Sequence, residues 1–251
     1  RCHALARFAE ERMLKEQRAR DDTLVDLVPH GTIAEPPSGE KRIGTTVRDR
    51  FRLDAVIGEG GMGAVFGGVD QSTGAAVAVK ILHDRFAQSH QHVARFLHEA
   101  KLQRSIPHPG VVHVIDFGRD EVGRWFIALE RLEGEDLADA LEEGALGSDV
   151  VVEIGHQLLS TLAATHEKGI IHRDVKPENI FLATLGDGQE ISKLVDFGIS
   201  RLNELGLERI TDSHTVLGTP QYMAPEQARG GHVDDRVDQY ALAVVIYEAV
   251  S

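Results

Sequence analysis

His172-Arg173-Asp174-Val175-Lys176-Pro177-Glu178-Asn179 is the stretch from which the rest of the chain can be read. It follows an amphipathic helical pattern closed by Gly169 and the apolar pair Ile170-Ile171, so it begins as a loop on a packed scaffold. Pro177 and its polar neighbours forbid a continuing helix. Asp174 offers a carboxylate that can hold a hydroxyl group and take its proton. Lys176 adds a cation, and Asn179, five residues beyond Asp174, adds an amide oxygen suited to a hard divalent cation. Alone, the spacing Asp-x-Lys-x-x-Asn is a weak signal. Its meaning depends on whether the chain also supplies groups that hold a phosphoryl donor.

Working outward, Lys193-Leu194-Val195 is an apolar strand leading into Asp196-Phe197-Gly198, which brings a second carboxylate. A loop aspartate capping a turn is the plain alternative, and the preceding strand together with Asn179 argues against it. Far upstream, residues 51–57 alternate apolar and polar like a strand and run into Gly58-Glu59-Gly60-Gly61-Met62-Gly63-Ala64-Val65. Dinucleotide sites also use Gly-x-Gly-x-x-Gly, but there it opens a helix, whereas here a second strand, 64–69, follows. Glycines between paired strands let backbone amides approach the phosphates of a nucleotide. After the turn at 71–74, a third strand, 75–82, carries Lys80 in the run Val77-Ala78-Val79-Lys80. A lysine there is costly to bury unless it is paired. The next helix, with Val93, Phe96, Leu97, Ala100 and Arg104 along one face, offers Glu99 as the partner.

These motifs resemble those of the eukaryotic-type protein kinases in their serine/threonine form, and residues 57–63 and 218–227 resemble the bacterial branch (Hanks-type kinases). The resemblance runs from about residue 50 to the last residue. It implies an α+β, two-lobed fold with a small antiparallel-sheet N-lobe and hinge at 47–134 and a mainly helical, truncated C-lobe at 135–251. It implies ATP as donor, Mg²⁺ or Mn²⁺ as cofactor, protein hydroxyls as acceptors, and self-phosphorylation between two copies. By resemblance, Ile57, Gly58, Glu59, Gly60, Gly61, Met62, Gly63, Val65 and Ala78 surround the nucleotide, and Lys80, held by Glu99, fixes its phosphates. Leu129 is the gatekeeper, the backbones of Glu130 and Leu132 meet the adenine edge, and Asp136 meets the ribose, although a helix-starting acid explains Asp136 equally well. Asp174 and Lys176 act on the transferred group, and Asn179 and Asp196 hold metal. Thr211, Ser213 and Thr215 are candidate phosphosites that Arg173 could receive in bidentate fashion. His172 packs beneath Phe197, Thr219 and Glu226 belong to the closing segment 217–226, and Asp238 resembles the buried acid that fastens the catalytic loop.

Three rivals have different signatures. A small-molecule phosphotransferase shares the acids but not the Arg173 pattern or the segment Gly218-Thr219-Pro220-Gln221-Tyr222-Met223-Ala224-Pro225-Glu226. A binding or scaffold module would be expected to have lost Lys80, Asp174 or Asp196. A tyrosine kinase is disfavoured by Lys176 and Thr219-Pro220. The chain departs from the family at Gln103, where an apolar residue of the internal spine is usual, which predicts a loosened helix. The hairpin at 185–188 is slightly longer than is common.

The balance of 27 basic and 40 acidic residues gives a net charge of −13, which argues against a general nucleic-acid binder. The single cysteine, Cys2, excludes an internal disulfide framework and suits a reducing, cytoplasmic setting. No apolar run is long enough to span a bilayer, and a charged start argues against a signal peptide; a membrane anchor could follow Ser251. His90, His92, His98, His108 and His113 crowd one region without metal-ligand spacing. Residues 1–28 alternate charges as a solvated helix or tail, and 29–46 have linker composition. Both ends look cut. That predicts an unpaired Glu226, exposure of Val244, Val245, Ile246 and Val250, and a poorly soluble, inactive fragment.

Overall fold

The computed structural model describes residues 42–186, 188–197 and 220–251. Strand β2 (Phe51–Glu59) shows the period-two alternation expected of it, with Phe51 and Leu53 buried and Arg52 and Asp54 exposed. It pairs with β1 (Thr46–Val47) and β3 (Gly63–Asp70); β3 pairs with β4 (Ala76–Leu82). Strands β5 (Val114–Arg119) and β6 (Trp125–Glu130) complete an antiparallel sheet of order β1-β2-β3-β4-β6-β5. One side of this sheet buries Phe51, Leu53, Phe66, Val77, Val79 and Phe126. At its corner the guanidinium of Arg50 grips Asp70, with Nη2 donating to Oδ2 at 2.6 Å and Nε to Oδ1 at 3.0 Å.

The linker composition of 29–46 extends into the fold. Arg42 is buried, the N–H of Gly44 donates to Leu53 O at 2.7 Å, and Thr46 begins β1. Packed chain is therefore present from at least five residues before Val47. Gly44, at φ +83°, makes the turn that allows this, so a residue typical of linkers here serves a sheet.

A short helix, α1 (Asp84–Ala87), leads into α2 (His90–Arg104), whose first turn is capped by Ser89. Phe96 and Ala100 of α2 pack against Leu82, Val114 and Ile127. Gln103 is also buried, and its Nε2 donates to Val112 O at 2.8 Å. The amide replaces an apolar contact by a bond to the strand leader. It ties the helix down rather than loosening it.

The second lobe is built on α4 (Ser148–Glu167) and α6 (Arg236–Ala249), with α3 (Leu137–Glu142) and α5 (Pro225–Ala228) beside them. Leu158, Leu162, Leu242 and Val245 meet in its core with Leu137, Val175 and Ile180. A three-stranded sheet, β7 (Gly134–Asp136), β8 (Ile180–Thr184) and β9 (Glu190–Leu194), lies in that order. The lobes join at the hinge after β6 and again where Leu194 N–H donates to Gly110 O at 2.8 Å.

The face of α6 predicted to be bare is only partly so. Val245 is fully buried, Ile246 packs beside Gly155, and Val244 leans on the core. Val250 is exposed as expected, and Tyr240 and Tyr247 share its side of the helix. Helical periodicity turns 244–246 toward α4, so sequence adjacency to Val250 was misleading.

Candidate active site

Lys80 lies on β4 opposite Val65 of β3 and Ile127 of β6, and Ala78, two residues earlier, shares its face. Its Nζ donates to Asp196 Oδ1 at 2.7 Å and lies 3.7 Å from Glu99 Oε1 on α2. One ammonium thus spans the N-lobe helix and the loop after β9. Burial works against its charge, but Glu99 and Asp196 outweigh burial and hold its pKa above the ordinary lysine value. The Lys80 charge depresses the Asp196 carboxyl against the cost of burial, so Asp196 is an anion at neutral pH. Burial, reinforced by the Asp196 charge and opposed by Lys80, pushes Glu99 upward.

The loop 172–179 hangs on Asp238, in the first turn of α6 and fully buried. Asp238 Oδ2 accepts the N–H of His172 at 2.8 Å and Nε2–H of His166 at 2.7 Å, and Oδ1 accepts the N–H of Arg173 at 2.7 Å. This clamp holds Arg173 at φ +65°, uncommon for a residue with a side chain, and thereby sets the direction in which the chain enters Asp174. His172 is buried, its Nε2 lies 3.3 Å from Val195 O, and its Nδ1 lies 3.4 Å from the N–H of Asp174. The first nitrogen must donate and the second accept, which is the neutral ring. Burial lowers its pKa accordingly. Its ring sits 4.9 Å from that of Phe197.

Pro177 starts the 3₁₀ turn Pro177–Asn179, where its missing N–H costs nothing. The turn returns Asn179 to Asp174: Nδ2 donates to the Asp174 carbonyl at 2.8 Å and to Oδ2 at 3.1 Å. That leaves Asn179 Oδ1 unengaged among the described residues. Lys176 Nζ is 3.9 Å from Glu178 Oε1, and its charge also helps to lower the Asp196 carboxyl.

At the nucleotide end, Gly63 is required by packing: a β-carbon there would stand 2.3 Å from Ile81 O. Beside Gly61 there is open space, and the nearest atom to a β-carbon on Gly60 would be 3.7 Å away. Gly58 pairs with Val65, Glu59 with Ala64, and Ile57 stays partly open at the mouth. Met62 packs at the edge of the α2 cluster. In the hinge, Glu130 Oε1 accepts the N–H of His113 at 2.8 Å and Lys193 Nζ at 2.5 Å, fastening this backbone to β5 and β9. No protein acceptor meets the N–H of Leu132 among the described residues. Gly134 follows at φ +133°, where a β-carbon would come within 2.0 Å of Leu182 O. Asp136 caps α3, accepting the N–H of Asp139 at 2.9 Å.

Among the described residues no three His, Cys, Asp or Glu side chains gather as a cation cage. An ion that meets nucleotide phosphates needs only one or two protein oxygens, so the hard donor set of Asn179 Oδ1 and Asp196 fits magnesium or manganese. Glu226 forms no ion pair among the described residues, though its carbonyl accepts Gly231 N–H at 2.8 Å. Thr211, Ser213, Thr215, Thr219 and Gly198 lie outside the described residues.

Four supporting groups were not singled out from sequence. They are His166 on Asp238, the Glu130–Lys193 pair, Gln227, whose Nε2 lies 3.3 Å from Arg173 O, and residues 83–85 beside the glycine turn. None carries a spacing signal, because each acts across a long sequence separation or from an exposed turn.

A six-stranded antiparallel sheet with a helix packed on it, hinged to a helical lobe, and a lysine that joins an acid of that helix to one across the cleft make up the two-lobed architecture of nucleotide-dependent phosphotransferase domains. The chain belongs to the protein kinase domain family, which matches residues 51–251. It is 39% identical over 218 residues to the serine/threonine-protein kinase pkn3 of Myxococcus xanthus, covering 86% of this chain and 40% of that protein. It is 37% identical over 215 residues to the serine/threonine-protein kinase PknA of Mycobacterium tuberculosis, covering 84% of this chain and 48% of that one. The crystal structure of the Mycobacterium tuberculosis PknI kinase domain superposes with a TM-score of 0.63 at 27% identity, over 83% of this chain and 76% of that chain. The chain thus spans less than half the length of these two curated relatives.

Proposed function

We propose that this domain transfers the γ-phosphoryl group of ATP to serine and threonine hydroxyls of proteins, in bacterial signalling on the cytoplasmic side. The observation that carries the reading is Lys80 joined at once to Asp196 and Glu99, next to a loop that presents Asp174 and Asn179 together. Lys80 orients the donor phosphates, and the Glu99 pair keeps its ammonium in the cleft. Asp174 aligns the attacking hydroxyl and receives its proton, and Lys176 steadies the charge on the transferred group. A divalent cation on Asn179 and Asp196 would supply charge neutralisation at the phosphates. The adenine edge meets the backbones of Glu130 and Leu132, under Ile57, Val65 and Ala78. Asp136 reaches the ribose with the carboxylate oxygen its cap leaves over.

Incubation with labelled ATP, Mg²⁺ or Mn²⁺ and a basic test protein should label serine and threonine, and Asp174→Ala should lower the rate by about 10²–10⁴-fold. An Asp174→Ala protein as active as wild type would show that the catalytic loop has been misassigned.

Regulation follows from Arg173. Its buried Nε has no hydrogen-bond partner among the described residues, which suits an incoming phosphate on Thr211, Ser213 or Thr215. Self-phosphorylation then proceeds between two copies. Mixing active protein with an Asp174→Asn protein of different mass should place phosphate on the inactive copy. Phosphate confined to the active copy would exclude exchange between molecules.

A further inference from the structure

The turn between β2 and β3 is held on one side by a single short segment. Three successive carbonyls accept hydrogen bonds from it: Gly60 O lies 3.2 Å from His83 Nε2, Gly61 O accepts Arg85 Nη2 at 2.8 Å, and Met62 O accepts the backbone N–H of His83 at 2.9 Å. A carbonyl can only accept, so His83 carries its proton on Nε2. The turn closes on itself through Gly60 N–H to Gly63 O at 2.9 Å. The holding segment is itself anchored, since β4 stays paired as far as Leu82, opposite Gly63, and α1 begins at Asp84. The Arg85 guanidinium also lies over the Phe86 ring, 4.9 Å from its centre.

In a trans peptide, the C=O of one residue and the N–H of the next point in opposite directions. Fixing the carbonyls of Gly60 and Gly61 therefore turns the N–H groups of Gly61 and Met62 away from residues 83–85. Neither N–H meets a protein acceptor among the described residues. Two adjacent free amides aimed the same way form an anion-binding concavity. A turn with glycine at 60, 61 and 63 would otherwise lose much conformational freedom on closing over a ligand.

We propose that His83 and Arg85 are positioning residues that orient the Gly61 and Met62 amides for the phosphates of the nucleotide before it arrives. This rests on the kinase reading above, and it adds two side chains that touch neither nucleotide nor substrate. Ordering the turn in advance removes part of the entropic cost of binding. The benefit belongs to the phosphates alone, because the adenine and ribose contacts lie elsewhere.

The test compares Mg²⁺-ADP and adenosine binding, together with KM for ATP and kcat, in the full-length protein that carries this domain and in its variants. Arg85→Ala and His83→Ala should each weaken ADP and raise KM for ATP by about three- to tenfold, the size of one net hydrogen bond. Adenosine affinity should be unchanged and kcat should move less than about twofold, since neither residue meets the reacting atoms. His83→Gln, which keeps a donor, should restore ADP binding. Thermal melts identify any variant whose fold has changed, and His83→Gln against His83→Ala then decides the matter at a surface site. Equal losses for ADP and adenosine, or no loss for either, overturn the positioning role while leaving the kinase reading intact. Wild-type protein that binds neither ligand overturns both.

Discussion

At the scale of single residues, two buried acids do different work. Asp238 accepts three hydrogen bonds and fixes the backbone from which Asp174 projects. Asp238→Asn keeps the shape but turns an N–H₂ group toward donors. Stability should fall by roughly 1–3 kcal/mol for each buried donor left unpaired, and phosphotransfer should fall with it. Urea unfolding beside a rate assay measures both, and a fully active variant of normal stability would remove Asp238 from the loop's support. Asp70 is purely structural: the Arg50 guanidinium, against the cost of burial and with help from Ser72, holds its carboxyl well below the usual carboxylate range. A depressed folded pKa means that the contribution is complete above the unfolded value of about 4 and is lost as pH falls below it. Asp70→Asn should therefore be destabilised relative to wild type at pH 7, and the gap should narrow below about pH 4. A gap that is constant with pH would mean that the charge contributes nothing.

At the scale of elements, the decisive joints are those that carry α2 and the hinge. Gln103 donates to Val112 O from a buried position, so Gln103→Leu restores an apolar residue but strands a carbonyl. The substitution should cost about 1–3 kcal/mol. If it stabilises the protein and raises activity instead, the amide is the loosening element that its departure from the family suggested. The hinge has an equivalent joint in Lys193, nearly buried and paired with Glu130. Lys193→Met leaves Glu130 holding His113 alone and frees the backbone expected to meet adenine, so KM for ATP should rise more than kcat falls. An unchanged KM for ATP would show that the pair does not position the hinge.

For the molecule as a whole, the two lobes are joined by a buried apolar cluster of Ile106, Val111, Ile170 and Phe197 as well as by Lys80–Asp196 and the Gly110–Leu194 bond, so closure of the cleft depends on charge as well as packing. The outer side of α6 is partly apolar and exposed. Tyr240, Tyr247 and Val250 follow helical spacing along α6 and are 43%, 73% and 47% exposed. An apolar face of this kind favours self-association. Tyr247→Lys with Val250→Ser should raise the concentration at which light scattering detects aggregates in the 251-residue chain, without moving its melting temperature by more than a few degrees. Scattering unchanged by the pair would place the aggregation surface elsewhere. Among the described residues no helix is long and apolar enough to cross a membrane.

The sequence by itself determined the family and the two-lobed fold, and it supplied the candidate reacting groups. Their signals are local: a glycine turn between two strands, an Asp-x-Lys-x-x-Asn loop and an Asp-Phe-Gly after an apolar strand each depend on neighbours within a few positions. Strand alternation likewise placed β2, and the strand expected after the glycine turn matched β3, each to within two residues at either end. What only the tertiary structure decided is how those groups are held. The partners of Asp238, the direction of Gln103, the Glu130–Lys193 pair and the grip of residues 83–85 on the glycine turn all join positions that no periodicity relates. The same holds for burial near the ends of the described chain: Arg42 is buried, and Val245 is hidden among Leu158, Leu162 and Leu242. A buried polar group needs a partner wherever in the chain that partner comes from, and only the folded arrangement names it.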